Sequence, residues 1–94
     1  MSFDEVKENY GFVPLNFTGA FGNEFEDGKY IINERGFVMI GKKNQRKTQG
    51  HIIPTKFDKD GRKYVELVPM VGQRQKYYID DLLRWNKGEL KNDL

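Results

Sequence analysis

The sequence contains no cysteine among its 94 residues. This absence excludes disulfide bonds, thiolate nucleophiles and cysteine-ligated zinc, and it is consistent with a reducing compartment. Long apolar runs are also missing, because no stretch approaches the ~18 consecutive apolar residues that a membrane helix needs. The acidic start, residues 1–5, does not resemble a signal peptide. We therefore expect a cytoplasmic protein with no membrane partner.

Histidine occurs once, as His51. A metal centre or a histidine base would need a companion histidine or a carboxylate at a fixed distance, so an HNH nuclease centre is excluded. Residues 58–61 begin like a calcium loop, but Pro69 stands where the distal glutamate would be. We therefore predict a protein that is not an enzyme, with no catalytic residue, no metal, no cofactor and no small-molecule substrate.

Aromatic residues and unevenly placed charges dominate what is present. The chain has seven Phe, five Tyr and one Trp, and each aromatic side chain can bury ~150–250 Å² in a core. Residues 1–28 carry six acidic residues and one lysine, whereas residues 41–76 carry ten Lys and Arg and three acidic residues. This asymmetry indicates charged partners more clearly than the net charge of +2 does.

Periodicity and turn residues predict one α+β domain over residues 1–94, a small antiparallel β-meander of about five strands with a short C-terminal helix. Ser2 and Glu5 have the spacing of a capping box, which predicts a helix at 3–10. The predicted strands are 29–32, 37–40, 51–55, 62–68 and 74–79, with turns at 33–36, 58–61 and 69–73. An acidic, aromatic-rich segment, 1–28, thus precedes the basic meander, 29–79, and the helix, 80–88.

Four short segments follow one another in an order that is also found in a known protein family. They are residues 30–38, 50–54, 61–67 and 76–83. They contain a strand ending in Asn before a turn glycine, a glycine-initiated strand, a tyrosine-bearing strand, and a strand that leads into an aliphatic helix. Residues 28–83 resemble the NUMOD-type module found beside HNH homing endonucleases of phages and introns. The resemblance implies DNA binding by a phage-encoded regulator or nuclease accessory. Phe37 and the pair Asp80-Asp81 stand where the family usually has basic residues.

Two basic groups are candidate nucleic-acid contacts. The linker 41–50 contributes Lys42, Lys43, Arg46 and Lys47, and the hairpin contributes Arg62, Lys63, Arg74 and Lys76. Positive side chains neutralise phosphates, and a two-stranded ribbon can enter a major groove. As alternatives, the linker is a solvated loop, and the strand cations form an exposed face whose stems cover apolar residues.

The aromatic residues of the hairpin and helix have two interpretations. Tyr64, Tyr77 and Tyr78 can stack on bases of a single strand, although tyrosines of a small sheet more often belong to the core. Trp85 is predicted to be a core anchor, with a partner contact as the alternative. The rival function is a phage-encoded protein-binding inhibitor or adaptor that docks on a host enzyme, with Tyr77 and Trp85 as candidate interface residues.

Overall fold

The computed structural model describes residues 2–16, 18–19, 22–42 and 49–86. Helix α1, Phe3–Asn9, begins at the N-cap Ser2, whose hydroxyl accepts a hydrogen bond from the Glu5 amide. The Glu5 carboxylate accepts one in return from the Ser2 amide. This reciprocal pair satisfies two amides that the first helical turn would otherwise leave unbonded. The predicted N-terminal helix is therefore confirmed.

The first sheet has three antiparallel strands, β1 (Val13–Pro14), β4 (Tyr30–Ile32) and β5 (Val38–Ile40), in the order β1-β4-β5. Two further short strands, β2 (Thr18–Gly19) and β3 (Gly22–Asn23), pair only with each other. The turn between β4 and β5 depends on Asn33, whose side-chain oxygen accepts hydrogen bonds from the amides of Arg35 and Phe37. Gly36 completes this turn with φ +88°, a conformation that costs glycine little.

The second sheet also has three antiparallel strands, β6 (Lys56–Phe57), β7 (Lys63–Leu67) and β8 (Gln75–Tyr78), in that order. Asp58 closes the β6–β7 turn by accepting hydrogen bonds from the amides of Asp60 and Arg62. Gly61 has φ +82° in this turn, which confirms the predicted turn at 58–61. The pairing of β7 with β8 confirms the predicted hairpin.

The prediction of one five-stranded meander is not confirmed, because the strands divide between these two sheets. Residues 51–55, predicted as a strand with Pro54 at an edge or at the strand end, make one isolated bridge from Ile52 to Met39 of β5. Pro54, two residues after Ile52, has no backbone amide to donate, so the pairing with β5 ends there. The chain then leaves the edge of the first sheet and pairs with β7 as β6.

The main core lies between the two sheets and the C-terminal helix. Its buried members are Leu15, Phe25, Tyr30, Ile32, Val38, Ile40, Ile53, Val65, Leu67, Tyr77, Ile79 and Leu82. A smaller cluster on the opposite face of the first sheet joins Phe12, Ile31 and Met39 to Phe3 and Val6 at α1. The first sheet is consequently buried on both faces.

Helix α2, Ile79–Asn86, follows β8 without a break and corresponds to the helix predicted at 80–88, of which residues 87–88 lie outside the described residues. Ile79, Leu82 and Asn86 are its buried positions. The prediction of Trp85 as a core anchor is wrong, because its side chain is 52% exposed. At 3.6 residues per turn, Asn86 returns to the face of Ile79 and Leu82, whereas Trp85 points about 100° away.

Asn86 connects α2 to the N-terminal part of the chain. Its side-chain amide donates to the Pro14 carbonyl at 2.8 Å, and its side-chain oxygen accepts from the Asn16 amide at 3.2 Å. A fully buried amide needs such partners, since an unpaired one costs ~1–3 kcal/mol. None of the helices in the described part of the chain is long and apolar enough to span a membrane.

Candidate functional site

The predicted basic residues fall into three groups in the structure. Lys43, Arg46 and Lys47 lie outside the described residues. Lys42, the described member of the linker group, pairs with Glu26, its Nζ lying 3.4 Å from Oε2, and its stem passes Gly28. The remaining cations, Arg62, Lys63, Arg74 and Lys76, belong to the second sheet and its turns.

The register of the second sheet decides which of these cations share a face. Tyr64 pairs with Tyr78, and Glu66 pairs with Lys76. Side chains alternate along a strand, so these four occupy the face opposite Val65 and Leu67; we call this the outer face. Its residues are half-buried or exposed, whereas Val65, Leu67 and Tyr77 of the inner face are buried.

Lys63 does not belong to this outer face. It pairs with Phe57 at the end of the β6–β7 ladder. Because alternate residues of a strand lie on the same side, Lys63 is on the side of the inner residues Val65 and Leu67. Lys63 stays exposed because it is the first residue of its strand. The predicted set of four hairpin cations is therefore divided, with Lys63 on the inner side.

Arg62 stacks on Tyr78 across the outer face. Its guanidinium carbon lies 3.7 Å from the centre of the tyrosine ring, which is van der Waals contact and the arrangement of a cation–π pair. The Tyr78 hydroxyl donates to Asp58 Oδ2 at 2.8 Å. Asp58 Oδ1 also accepts from the Arg62 amide at 2.9 Å, so one carboxylate holds both members of the stack.

The hydrogen bonds around Asp58 also affect ionisation. The Arg62 amide, followed by the Tyr78 hydroxyl, lowers the pKa of Asp58 below its ordinary value. The same Asp58 bond raises the pKa of Tyr78. Both directions follow from hydrogen bonds that favour a charged carboxylate and a neutral phenol. At neutral pH the side chain of Asp58 is therefore a carboxylate, and the Tyr78 hydroxyl keeps its proton.

The Lys76 ammonium lies close to both tyrosine rings of the outer face. Its Nζ is 4.6 Å from the centre of the Tyr64 ring and 5.8 Å from that of Tyr78. The two rings are 6.3 Å apart and inclined at 71°. Lys76 thus places a positive charge next to two aromatic rings that face different directions.

Glu66, opposite Lys76 in the register, is neutralised by a different lysine. Lys56 Nζ donates to Glu66 Oε1 at 2.8 Å, and this bond lowers the pKa of Glu66, with smaller contributions from Arg74 and Lys76. The bond to Glu66 correspondingly raises the pKa of Lys56. Around the outer face the four cations Lys56, Arg62, Arg74 and Lys76 therefore outnumber the three carboxylates Asp58, Asp60 and Glu66.

Tyr77, a candidate interface residue, belongs to the core. It is buried, and its hydroxyl donates to Glu24 Oε2 at 2.6 Å. Burial, followed by the Glu24 hydrogen bond, raises the pKa of Tyr77. Its ring also packs edge-on against Phe25. Of the two candidate interface residues, Trp85 is therefore the accessible one.

Sequence reasoning did not identify Asp58 as part of this region. Asp58 was assigned to a turn, and the spacing 58–61 with a terminal glycine does carry that signal. Its bond to Tyr78, 20 residues away, depends on strand register. In the described ranges no group of three metal-binding side chains comes together.

Comparisons of the chain with family models, curated proteins and solved structures found no match. The resemblance of residues 28–83 to NUMOD-type modules consequently rests on the motifs in the sequence.

Proposed function

We propose that this protein is a small non-catalytic module that binds nucleic acid through the outer face of the second sheet. The observation that supports this proposal is the placement of Arg62 and Lys76 against the rings of Tyr78 and Tyr64, with Lys56 and Arg74 near Glu66. An ordered set of cations beside aromatic rings is the combination that nucleic-acid-binding sheets use. In this combination the cations attract phosphates, and the aromatic rings provide flat surfaces on which bases can stack.

Phosphate attraction supplies most of the affinity in this proposal. Each neutralised phosphate releases condensed counterions, which makes binding strongly dependent on salt. The linker residues Lys42, Lys43, Arg46 and Lys47 add positive charge to the same chain. The resemblance to NUMOD-type modules favours DNA as the ligand and a role as a phage-encoded regulator or nuclease accessory.

The proposal is tested by titrating labelled DNA with the protein at several salt concentrations and measuring fluorescence anisotropy. Replacing Arg62 and Lys76 by Ala should lower the slope of log K against log salt by about one to two units, since each lost phosphate contact contributes about 0.7–0.9. The control replaces Arg35 and Arg84 by Ala, which removes the same charge from exposed positions outside the outer face. No binding at low salt, or equal loss in the control, would contradict the proposal.

A protein partner is the second candidate, in which the chain acts as an inhibitor or adaptor. The observation that favours it is the exposure of two large aromatic side chains, Phe37 at 49% and Trp85 at 52%. Tryptophan is enriched among residues that dominate interface energies. In affinity capture from a bacterial lysate, a partner retained by the unaltered protein should be lost with Trp85→Ala. Its retention by the variant would exclude α2 as the docking surface.

A further inference from the structure

We infer that the outer face binds single-stranded nucleic acid in preference to duplex, with one base stacked on the Arg62 guanidinium and the next base against Tyr64. This inference rests on the proposed function, since it specifies the ligand of the same site. It depends on the geometry of four residues, Arg62, Tyr64, Lys76 and Tyr78, which we call the stacking group.

The first step is that Arg62 is already arranged as a flat platform. At 3.7 Å from the ring centre, one face of its planar guanidinium covers Tyr78. Arg62 is nevertheless exposed, so the other face of the guanidinium is open to a ligand. Unstacked bases pack on arginine planes as well as on aromatic rings. A base bound here would complete a stack of ring, guanidinium and base.

The second step is that the platform is held in place before any ligand binds. Asp58 accepts hydrogen bonds from the Tyr78 hydroxyl and from the Arg62 amide. Tyr78 is therefore fixed at its hydroxyl end, and Arg62 at its backbone. Groups that are ordered in advance lose less conformational freedom on binding, which raises affinity. Asp58 acts as a positioning residue in this arrangement.

The third step concerns the spacing and tilt of the two rings. Tyr64 and Tyr78 are 6.3 Å apart and inclined at 71°, whereas successive bases in one strand of a duplex rise by ~3.4 Å and lie nearly parallel. A base on the guanidinium that covers Tyr78 and the next base against Tyr64 can follow these two orientations only when the bases are splayed apart. A single strand allows this arrangement, and a duplex does not unless its base stack is disrupted.

The fourth step is the position of Lys76. Its Nζ lies 4.6 Å and 5.8 Å from the two ring centres, so its charge is close enough to both to attract a phosphate that joins the two bases. Glu66, its cross-strand neighbour, is bonded to Lys56. In this arrangement Lys76 binds a phosphate, whereas Arg62 stacks on a base.

The test uses the full chain, a labelled oligothymidine of twelve nucleotides, and a duplex of equal length, all at one salt concentration. We expect the single strand to bind about tenfold more tightly than the duplex, which corresponds to the stacking of one base. Arg62→Lys keeps the charge and removes the planar group, so it should weaken single-strand binding by about five- to tenfold and leave duplex binding unchanged. Arg35→Lys is the matched control and should change neither.

The outcomes separate this inference from the proposed function. Equal affinity for both ligands, with no effect of Arg62→Lys, overturns single-strand stacking while leaving nucleic-acid binding intact. Absence of binding to either ligand at low salt overturns both. Tyr78→Phe is a second variant that keeps the ring and loses only the bond to Asp58. It should give a smaller loss of single-strand affinity than Arg62→Lys, and circular dichroism should show that both variants are folded.

Discussion

The two three-stranded sheets of this protein differ in how many of their faces are covered. Every residue of β4 and β5 is buried, because α1 packs on one face of the first sheet and the main core on the other. In β7, burial alternates along the strand, and the outer face carries tyrosines and cations. The first sheet is therefore covered on both faces, whereas the second sheet leaves its outer face to solvent.

This difference is already present in the residue types. The strands Tyr30–Ile32 and Val38–Ile40 are continuous apolar runs, typical of strands covered on both faces. In the strand Lys63–Leu67 the polar Glu66 separates the buried Val65 and Leu67, which is typical of a strand with one solvent face. Hydrophobic periodicity alone therefore distinguishes the structural sheet from the candidate binding sheet.

Apart from the buried reference position Leu82, the largest expected effect is at Gly36, where the turn of the first sheet meets α2. A Cβ atom there would lie 2.6 Å from Ile79 Cγ2, and φ is +88°. Gly36→Ala should lower the free energy of unfolding by about 2–4 kcal/mol, from overpacking together with backbone strain. Gly61 is the matched control, because φ is +82° but nothing lies within 4 Å. Gly61→Ala should cost only about 1–2 kcal/mol, and equal costs in urea unfolding would contradict the close packing at Gly36.

The next largest effect is at Asn86, which joins α2 to the N-terminal segment. Asn86→Ala removes two hydrogen bonds and leaves the Pro14 carbonyl and the Asn16 amide without these partners. We expect a loss of about 2–3 kcal/mol in urea unfolding. Asn9→Ala, at an exposed position, should stay within about 0.5 kcal/mol of the unaltered protein. A loss no larger at Asn86 than at Asn9 would show that the connection is dispensable.

Trp85 should have a smaller effect on stability than its size suggests. Because its side chain is half exposed, Trp85→Ala should cost about 1 kcal/mol, compared with about 2–5 kcal/mol for Leu82→Ala at a fully buried position of the same helix. Thermal and urea unfolding of the two variants measure this difference. A larger loss of stability in Trp85→Ala than in Leu82→Ala would show that Trp85 is a core anchor.

The smallest effect is a pH dependence at Asp58. Its folded-state pKa is lowered, first by the Arg62 amide and then by the Tyr78 hydroxyl, so its contribution to stability is present above the unfolded value of ~3.9. That contribution is lost as pH falls through the folded pKa. The stability difference between the unaltered protein and Asp58→Asn should therefore shrink on acidification below about pH 4. Asp60→Asn is the control, and a difference independent of pH would contradict the bonds at Asp58.

Local features of the fold could be predicted because short-range chemistry determines them. The Ser2–Glu5 capping box, the turn ending at Gly36 and the turn ending at Gly61 each depend on residues a few positions apart. The division into two sheets could not be predicted, because the residue pattern at 51–55 does not show which other strand this segment pairs with. The prediction placed Trp85 on the buried side of the helix, but the buried residue there is Asn86, one position further along the chain.

The candidate site was predictable in composition but not in arrangement. The abundance of cations between residues 41 and 76 is visible in the sequence. The stacking of Arg62 on Tyr78 depends on the register in which Tyr64 pairs with Tyr78. That register is a property of the folded hairpin, and a shift of one residue would move every side chain to the opposite face.

The central claim is that the second sheet binds nucleic acid and the first sheet does not. The most direct test is a titration of the ¹⁵N-labelled protein with oligothymidine, followed by amide chemical shifts. We predict that the amides of β7 and β8, and those of the turn at Asp58, change on binding while those of β4 and β5 stay constant. Changes confined to the first sheet or to α2, or no changes at all, would contradict the account.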